Sequence, residues 1–188
     1  MKLSFINKKT VMALLIVAVM VFSIEGFMLG RDYYEKTVAY NSHKFKITEN
    51  GIFTTINGKE LRFDYLPEDV ESITVDNETA KRLAATRMLY STSNYTDINS
   101  PAIAAANYEM AQTLNKYRGI YLEAGFIGGE QKRVINCSMA TPTVPVILLK
   151  TGQLGIEVKG NCIIARADDA QEFARIKDRL LYAITGVI

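Results

Sequence analysis

Residues 43–65 read HKFKITENGIFTTINGKELRFDY, and this stretch decides the first part of the fold. Asn-Gly pairs at 50–51 and 57–58 divide it into three short segments. Asn-Gly readily adopts the positive φ angles of two-residue hairpin turns, so each pair predicts a tight turn between antiparallel strands. Apolar and polar residues alternate within the segments, which is typical of strands with one buried and one solvated face. We therefore predict a three-stranded β-meander over residues 43–66.

Helix and strand patterns alternate in residues 76–188. Ser100 followed by proline predicts a helix start, and apolar residues then recur at helical spacing until Gly119 ends the helix. A last amphipathic helix is expected to begin at Asp168 or Asp169, because a glutamate stands at the spacing of a capping box. The other predicted elements are a short helix from Asp76 and strands at 87–91, 120–126, 133–137, 144–149 and 155–165.

The order of these elements sets the fold class. A β-meander followed by β-α-β-β-β-α predicts an α/β or α+β fold in which helices cover a mixed sheet. The strands at 144–149 and 155–165 are expected to pair across a turn near 151–152. The chain has 188 residues, 48% of them hydrophobic, which suffices for one domain, 43–188, with its α/β core at 76–188.

A net charge of +2 indicates no strongly basic surface. Proteins that bind nucleic acid neutralise many backbone phosphates with clustered lysines and arginines. Nucleic acid is therefore not an expected partner.

The segment 10–30 reads TVMALLIVAVMVFSIEGFMLG and carries a single charge, Glu25. At 1.5 Å per helical residue its length matches the roughly 30 Å of a bilayer's hydrocarbon, which predicts a transmembrane helix. Residues 1–9 contain three lysines and no acid, and this bias predicts a cytoplasmic tail. Residues 31–42 are then a linker, and the domain 43–188 lies outside. We thus expect a single-pass cell-membrane protein whose first partner is the lipid bilayer.

A cleaved signal peptide is the alternative interpretation of the same segment. A charged start followed by an apolar run also suits the first two regions of a signal peptide. No A-x-A-like cleavage site follows this run. The candidate junctions are at Gly26 and Gly30, and the residues two positions before them, Ile24 and Met28, are too large for the small-residue pattern of a cleavage site. We therefore favour an uncleaved signal anchor, and both interpretations leave the domain outside.

Cys137 and Cys162 are the only cysteines of the chain. In an oxidising compartment, an even pair beside predicted strands is most simply a disulfide bond. Two buried free thiols, or a pair active in thiol exchange or metal binding, are the alternatives. A zinc site needs more ligands, and the sole histidine, His43, lies far away in sequence.

Catalytic, cofactor and metal residues do not emerge from the sequence. A serine triad would have to recruit His43, and the serines lack the G-x-S-x-G setting of a nucleophile elbow. Gly125, Gly128 and Gly129 lack the strand-to-helix context of a phosphate loop and predict a turn. We assign no cofactor and favour a non-enzymatic protein. The acids considered for a carboxylate pair are scattered along the chain, at Asp97, Glu109, Glu123 and Glu157.

Three N-x-S/T sequons, at Asn77, Asn94 and Asn136, are candidate N-glycosylation sites on an extracytoplasmic domain. Asn136 directly precedes Cys137, so the expected disulfide makes it the least accessible of the three.

The domain also contains several distinctive sequence phrases. The longest begins at Tyr40-Asn41 and leads into KFKITENGIFTTINGKELRFDYLPEDVESI. The others are CSMAT at 137–141 before VPVI at 144–147, GNCII at 160–164, and DRLLY at 178–182 before a final GVI. Taken together, they resemble an uncharacterised group of membrane-anchored archaeal proteins. The resemblance implies an anchor plus an extracytoplasmic two-cysteine α/β domain, and it implies no activity.

Residues 143–152, TVPVILLKTG, combine a proline, an apolar strand and a Lys-x-Gly turn. This segment is similar to part of the thioredoxin fold, and the likeness covers only the second part of the chain. The strand that ends at Ser91 leads into Thr92-Ser93-Asn94-Tyr95 and not into C-x-x-C. A thioredoxin redox centre is therefore not expected at that position.

These observations favour a non-enzymatic cell-envelope module that binds an envelope protein or polymer or has a structural role. The alternative is a thioredoxin-like thiol-disulfide enzyme that uses Cys137 and Cys162. A lipid- or small-ligand-binding domain is a third hypothesis, for which the sequence offers ten Tyr and eight Phe.

Overall fold

A computed structural model describes residues 8–29, 36–129 and 133–188 of the chain. The chain divides into two compact units, Met1–Glu35 and Lys36–Ile188. Both β-sheets belong to the second unit.

The first unit contains helix α1, which covers Lys8–Leu29. Of the residues that the structure describes, none form a helix long and apolar enough to cross a membrane. The transmembrane helix expected over 10–30 is therefore not supported by the structure and stays a prediction. Residues 1–7 of the expected cytoplasmic tail lie outside the described residues.

The second unit begins with a four-stranded antiparallel sheet whose strands follow one another in chain order. The expected meander is present, as strands β2 to β4, and a further strand, β1, precedes it. This strand lies within the expected linker, 31–42, of which residues 31–35 are not described. The turn before β2 contains Asn41, whose φ is 49°. Serine and not glycine follows this asparagine, so the search for Asn-Gly pairs did not predict the turn. The strands are β1 (Lys36–Tyr40), β2 (His43–Thr48), β3 (Gly51–Ile56) and β4 (Lys59–Phe63).

The two Asn-Gly pairs turn differently. Asn57 and Gly58 have φ angles of 52° and 74°, as a type I′ turn requires. At the other pair, Gly51 already belongs to β3 and pairs with Thr48. Its φ is 124°, and a Cβ atom there would lie 2.8 Å from Arg62 Nε. The backbone conformation therefore favours glycine at this position, and a side chain there would also displace Arg62.

A five-stranded mixed sheet forms the rest of the unit, in the order β6-β5-β7-β9-β8. Four strands are parallel, and β8 is an antiparallel edge strand. The predicted mixed α/β architecture is thus confirmed. The elements are α2 (Pro67–Val70), α3 (Asn77–Ala85), β5 (Met88–Ser93), α4 (Ser100–Arg118), β6 (Tyr121–Phe126), β7 (Val146–Thr151), β8 (Gly155–Lys159), β9 (Cys162–Ala167) and α5 (Ala170–Thr185).

The strand predicted at 155–165 is two strands in the structure. β8 and β9 form an antiparallel hairpin that turns at Gly160, whose φ is 61°. β9 and not β8 pairs with β7, and the pairing is parallel. The buried run Cys162–Ala165 takes the interior position, while the half-exposed β8 lies at the edge. The predicted pairing of 144–149 with 155–165 across a tight turn is therefore wrong.

The helix ends follow the predicted caps within one residue. Asp169 accepts a hydrogen bond from the Glu172 N–H at 2.8 Å, and Glu172 accepts one from the Asp168 N–H at 2.8 Å. The N-cap is Asp169, and Glu172 reaches the N–H of the residue before it, so the start of α5 resembles a capping box, as the spacing predicted. The N-cap position of α4 is Asn99, one residue before the predicted Ser100, and its side chain forms no capping hydrogen bond. Both helices end at a glycine in the left-handed conformation, as expected.

Helices α4 and α5 contact both the meander and the five-stranded sheet, and α3 packs against α5. Tyr182 of α5 stacks on Phe63 of the meander with 4.3 Å between ring centroids, and it meets Phe45 edge-on at 6.0 Å. The Tyr182 hydroxyl also donates to the Tyr65 carbonyl oxygen at 2.7 Å. One helix side chain therefore joins the meander to the helical layer.

Residues 133–145, which we call the strap, cover the opposite face of the five-stranded sheet. Alternate residues of a strand face opposite sides. Ile147 and Ile163 belong to the core on the helix side, whereas Val146 and Ile164 form a second cluster with Ile135 of the strap. The sheet is thus packed on both faces.

The strap also contacts the edge of the sheet beside β6. The Phe126 N–H donates to the Arg133 carbonyl oxygen at 2.8 Å, and the Ile135 N–H donates to the Phe126 carbonyl oxygen at 2.9 Å. The strand predicted at 133–137 is therefore only a single parallel bridge. It extends no further because the chain turns into a 3₁₀ helix at Cys137–Met139.

Candidate functional site

Cys137 and Cys162 form a disulfide bond with 5.3 Å between their Cα atoms, which is within the usual range. The bond joins the strap to β9. Cys162 is buried and packs with Ile135, Val146 and Ile164, while Cys137 is half-buried. The predicted disulfide is confirmed, and the alternative of two free thiols is wrong.

The other sequence candidates do not assemble into a catalytic centre. His43 lies on β2 opposite Tyr40 and is half-buried. Within residues 8–29, 36–129 and 133–188, no group of three or more His, Cys, Asp and Glu residues could hold a metal ion.

The four scattered acids are held by separate partners. Burial would raise the pKa of Asp97, but hydrogen bonds from Thr151 outweigh this effect and lower it. The pKa of Glu157 is lowered by its hydrogen bond with Arg166. The acids and their partners are Asp97 with Thr151, Glu109 with Lys177, Glu123 with Arg133, and Glu157 with Arg166 and Lys159.

The three sequons differ in exposure. Asn77 and Asn94 are exposed, and Asn136 is half-buried. The Asn136 side-chain oxygen accepts hydrogen bonds from the N–H and hydroxyl of Ser138 at 3.0 and 2.6 Å. Glycosylation at these positions stays a prediction.

A pocket of about 470 Å³ opens between helix α4 and the edge strand β6. It lies at the carboxyl ends of β5 and β6, where the last residues of the two strands, Ser93 and Phe126, are paired. Ligands of sheets with parallel strands bind outside these ends. The volume is within the range of roughly 300–1,000 Å³ that small-molecule sites occupy. Its apolar lining includes Tyr95, Ile103, Tyr108, Leu122, Ala124 and Phe126.

The pocket exists because α4 presents small side chains toward the edge of the sheet. Ala104 and Ala111 of α4 face Leu122 and Ala124 of β6 across the space. Larger side chains on the helix would fill it. The sequence analysis did not predict this site. The pocket is formed by α4 and β6 together, and no pattern of neighbouring residues shows how far apart these two elements pack.

One sequence signal could have indicated the site. Between Ser100 and Asn115, helix α4 contains a single charged residue, Glu109, which pairs with the buried Lys177. A helix at a protein surface normally presents charged residues to water. The outer face of α4 instead presents alanines, amides and Tyr108, and depletion of charge with aromatic enrichment is typical of binding surfaces.

Polar side chains converge on the pocket. Ser93 is only 5% exposed, and none of the described residues forms a hydrogen bond with its hydroxyl. The Asn107 side-chain oxygen accepts a hydrogen bond from the Ser91 hydroxyl at 2.6 Å. The Asn107 amide N–H groups are therefore available to the pocket, and the hydroxyl of Ser100 also lines it.

Two exposed aromatic side chains line the pocket. The exposed fractions are 47% for Tyr95 and 66% for Tyr108. Single exposed apolar residues are ordinary, but a group of them beside a cavity is typical of an interaction site.

A buried ionic cluster lies elsewhere in the same unit. Lys177 of α5 is 3% exposed and forms ion pairs with Asp64 after β4, with Glu109 of α4 at 2.6 Å, and with Asp178 at 3.2 Å. The completely buried Asp178 accepts hydrogen bonds from the backbone N–H groups of Asp64 and Tyr65 at 2.7 and 2.8 Å. The cluster therefore joins the end of the meander to two helices.

The two charges of this cluster respond differently to burial. Burial opposes the charge of Lys177, but the carboxylates around it, Asp178 foremost, outweigh that cost and raise its pKa. Burial raises the pKa of Asp178 to about 7, although Lys177 and the two backbone N–H groups favour its charged form. Because Asp178 is inaccessible to solvent, we assign the cluster a structural role.

No family model, curated protein or solved structure matches this chain. The resemblance to membrane-anchored archaeal proteins and the partial likeness to the thioredoxin fold therefore stay predictions.

Proposed function

We propose that this protein is a non-enzymatic binding module of the cell envelope, anchored in the membrane by its N-terminal segment with the α/β domain outside. The observation that carries the proposal is the uncharged pocket between α4 and β6, which is lined by the Ser93 side chain and by the aromatic rings of Tyr95 and Tyr108. Such a pocket is suited to binding, and none of the described residues that line it is an Asp, Glu, His, Lys or Arg.

The proposed location is supported by the disulfide and by the charge pattern of the N-terminus. Disulfide bonds persist in oxidising compartments and are rare in the cytosol. The lysines of residues 1–9 precede the apolar segment 10–30, which is the arrangement of a signal anchor with a cytoplasmic N-terminus. The proposal also retains the shared architecture that the resemblance to membrane-anchored archaeal proteins implies.

Protease treatment of intact cells tests the location. Protease added outside should digest the α/β domain, detected with an antibody against it, and should leave a cytoplasmic marker protein intact. A domain that is digested only after the cells are opened would contradict the proposed orientation.

Photo-crosslinking tests the binding role. A photoreactive phenylalanine replaces Tyr108 at the pocket mouth, and a control carries it at Thr55, an exposed residue of the meander. We expect an adduct from position 108 and none from position 55. Recovery of the unmodified monomer alone from both positions would count against a binding role for this surface.

A thioredoxin-like thiol-disulfide enzyme is the second proposal, and the exposure of the disulfide favours it to a limited extent. Cys162 is buried, but Cys137 is half-buried and so partly open to attack by an external thiolate. An exchange-active disulfide should be reduced by mild reductant in the folded protein. Mass-spectrometric thiol counting that shows an inert bond would eliminate this alternative.

A further inference from the structure

We propose that the pocket between α4 and β6 binds a small uncharged ligand with a flat apolar body and at least one hydrogen-bond acceptor. This inference deepens the proposed binding function by naming the chemistry of the ligand. It depends on the shape, the charge and the donors of the pocket, each of which limits the ligand in a different way.

The shape of the pocket favours a flat apolar body. Tyr95 and Phe126 meet edge-to-face at one end, with 6.4 Å between ring centroids and an angle of 87° between planes. Ile103, only 1% exposed, lines the helix side, and Leu122 lines the strand side. Aromatic rings favour stacked or edge-on contacts with other flat groups, which gives a planar ligand more contact than a branched one.

The absence of charge selects a neutral ligand. None of the described residues that line the pocket is charged. Glu109, on the same helix, points to Lys177 and is neutralised there. A charged ligand would lose its hydration without gaining an opposite charge, and that loss is large in an apolar site. Anionic lipid headgroups, phosphates and carboxylates are therefore poor ligands for this pocket.

The donors select a hydrogen-bond acceptor. The Asn107 side-chain oxygen is occupied by the Ser91 hydroxyl, so this side chain offers its amide N–H groups. The Ser93 hydroxyl, in a residue 95% withdrawn from solvent, has no hydrogen-bond partner among the described residues. Because Ser93 lines the pocket, its hydroxyl can donate to an acceptor of a ligand that enters there. A carbonyl or ether oxygen between these two side chains would satisfy both.

The test uses the full-length protein in lipid nanodiscs, labelled with 3-fluorotyrosine and observed by fluorine NMR. Tyr→Phe variants assign the resonances of Tyr95 and Tyr108. The probe is benzamide, which is neutral and planar and carries one carbonyl acceptor. Benzoate is the matched probe, since it has the same shape and a negative charge. Because the signal comes from the protein, partition of the probe into lipid does not imitate binding.

The matched variants are Ala104→Leu and Ala105→Leu. Both residues are exposed neighbours on α4, but only Ala104 lines the pocket. We expect benzamide to shift the Tyr95 and Tyr108 resonances saturably in the natural protein and in A105L. In A104L the affinity should fall at least about tenfold, as expected when added methylene groups occupy the ligand volume. Benzoate should bind at least about tenfold more weakly than benzamide.

Three results would overturn the inference. They are the absence of a saturable shift with benzamide, unchanged binding in A104L, and equal binding of benzoate. If A104L loses the resonance dispersion of a folded protein, A111L provides the same test from a position two turns further along α4 in the pocket wall. None of these results depends on the location or partner of the protein, which the protease and crosslinking experiments test separately.

Discussion

The Nζ atom of Lys177 lies 3.2 Å from Oδ1 of Asp178, the next residue in the chain, and both side chains are buried. The two residues belong to α5, but their other partners are elsewhere: Lys177 pairs with Glu109 of α4, and Asp178 binds the backbone at the end of β4. This pair is therefore the ionic junction between the meander and the helical layer.

Removal of the buried cation should destabilise the protein strongly. Lys177→Met leaves Glu109 and Asp178 without their counter-charge, while Asp64 keeps Arg62, and we expect a loss of about 3 kcal/mol in the free energy of unfolding. Urea unfolding followed by circular dichroism measures this loss, because the chain has no tryptophan. Lys159→Met is the control. It removes an exposed ion pair with Glu157 and should leave the stability nearly unchanged. Equal stability of both variants would contradict the structural role of the cluster.

Asp178 should make the stability depend on pH between about 4 and 7. Its pKa in the folded protein is raised to about 7, so the folded state holds a proton that the unfolded state has already lost. Stability should therefore fall as pH rises through this window, by up to about 1.4 kcal/mol per pH unit, and then level off. Free energies of unfolding at several pH values, compared between the natural protein and Asp178→Asn, isolate this contribution. Parallel pH profiles for the two proteins would show that Asp178 does not titrate in this range.

The disulfide should contribute a large part of the stability. It closes a loop with a sequence separation of 25 residues, for which the chain-entropy relation gives about 3.5 kcal/mol. Reduction should lower the midpoint of urea unfolding accordingly. The double variant Cys137→Ala with Cys162→Ala should show the lower midpoint both with and without reductant. If reduction leaves the midpoint of the natural protein unchanged, the strap is held by its other contacts alone.

Gly125 should be essential for the contact between the strap and β6. A Cβ atom at this position would lie 2.7 Å from the Arg133 carbonyl oxygen and 2.8 Å from Ile135 Cδ1. Gly125→Ala should therefore displace the strap and cost about 1–3 kcal/mol, as over-packed sites do. Gly128→Ala, where nothing lies within 4 Å of the added atom, is the matched control and should cost little. Hydrogen exchange at the Ile135 N–H should accelerate in the first variant only.

Features encoded by neighbouring residues were predictable from the sequence. The Asn-Gly pairs revealed three strands of the meander, and the Asp169–Glu172 spacing revealed the start of α5. The disulfide was predictable because only one pairing of two cysteines is possible. For Gly125 the sequence supported two predictions, a strand over 120–126 and a glycine-rich turn, and the structure places the residue in β6, where the strap approaches it closely.

Features that depend on long-range packing were not predictable. Either β8 or β9 could have taken the interior position beside β7. The more completely buried strand, β9, takes it, but the two strands have similar apolar residues: β8 contains isoleucine and valine, and β9 contains isoleucine and alanine. The pocket requires Ser93 and Phe126 to end neighbouring strands opposite the small residues of α4. No local pattern records that distance. The charge-poor face of α4 was visible in the sequence, but its meaning emerges only once β6 lies beside it.

The crosslink between the strap and β9 has a consequence for maturation. In a chain whose cysteines are still reduced, the cover over Val146 and Ile164 is held by non-covalent contacts alone. Oxidation then makes this closure permanent, because the Cys137–Cys162 bond limits how far the strap can move away from β9.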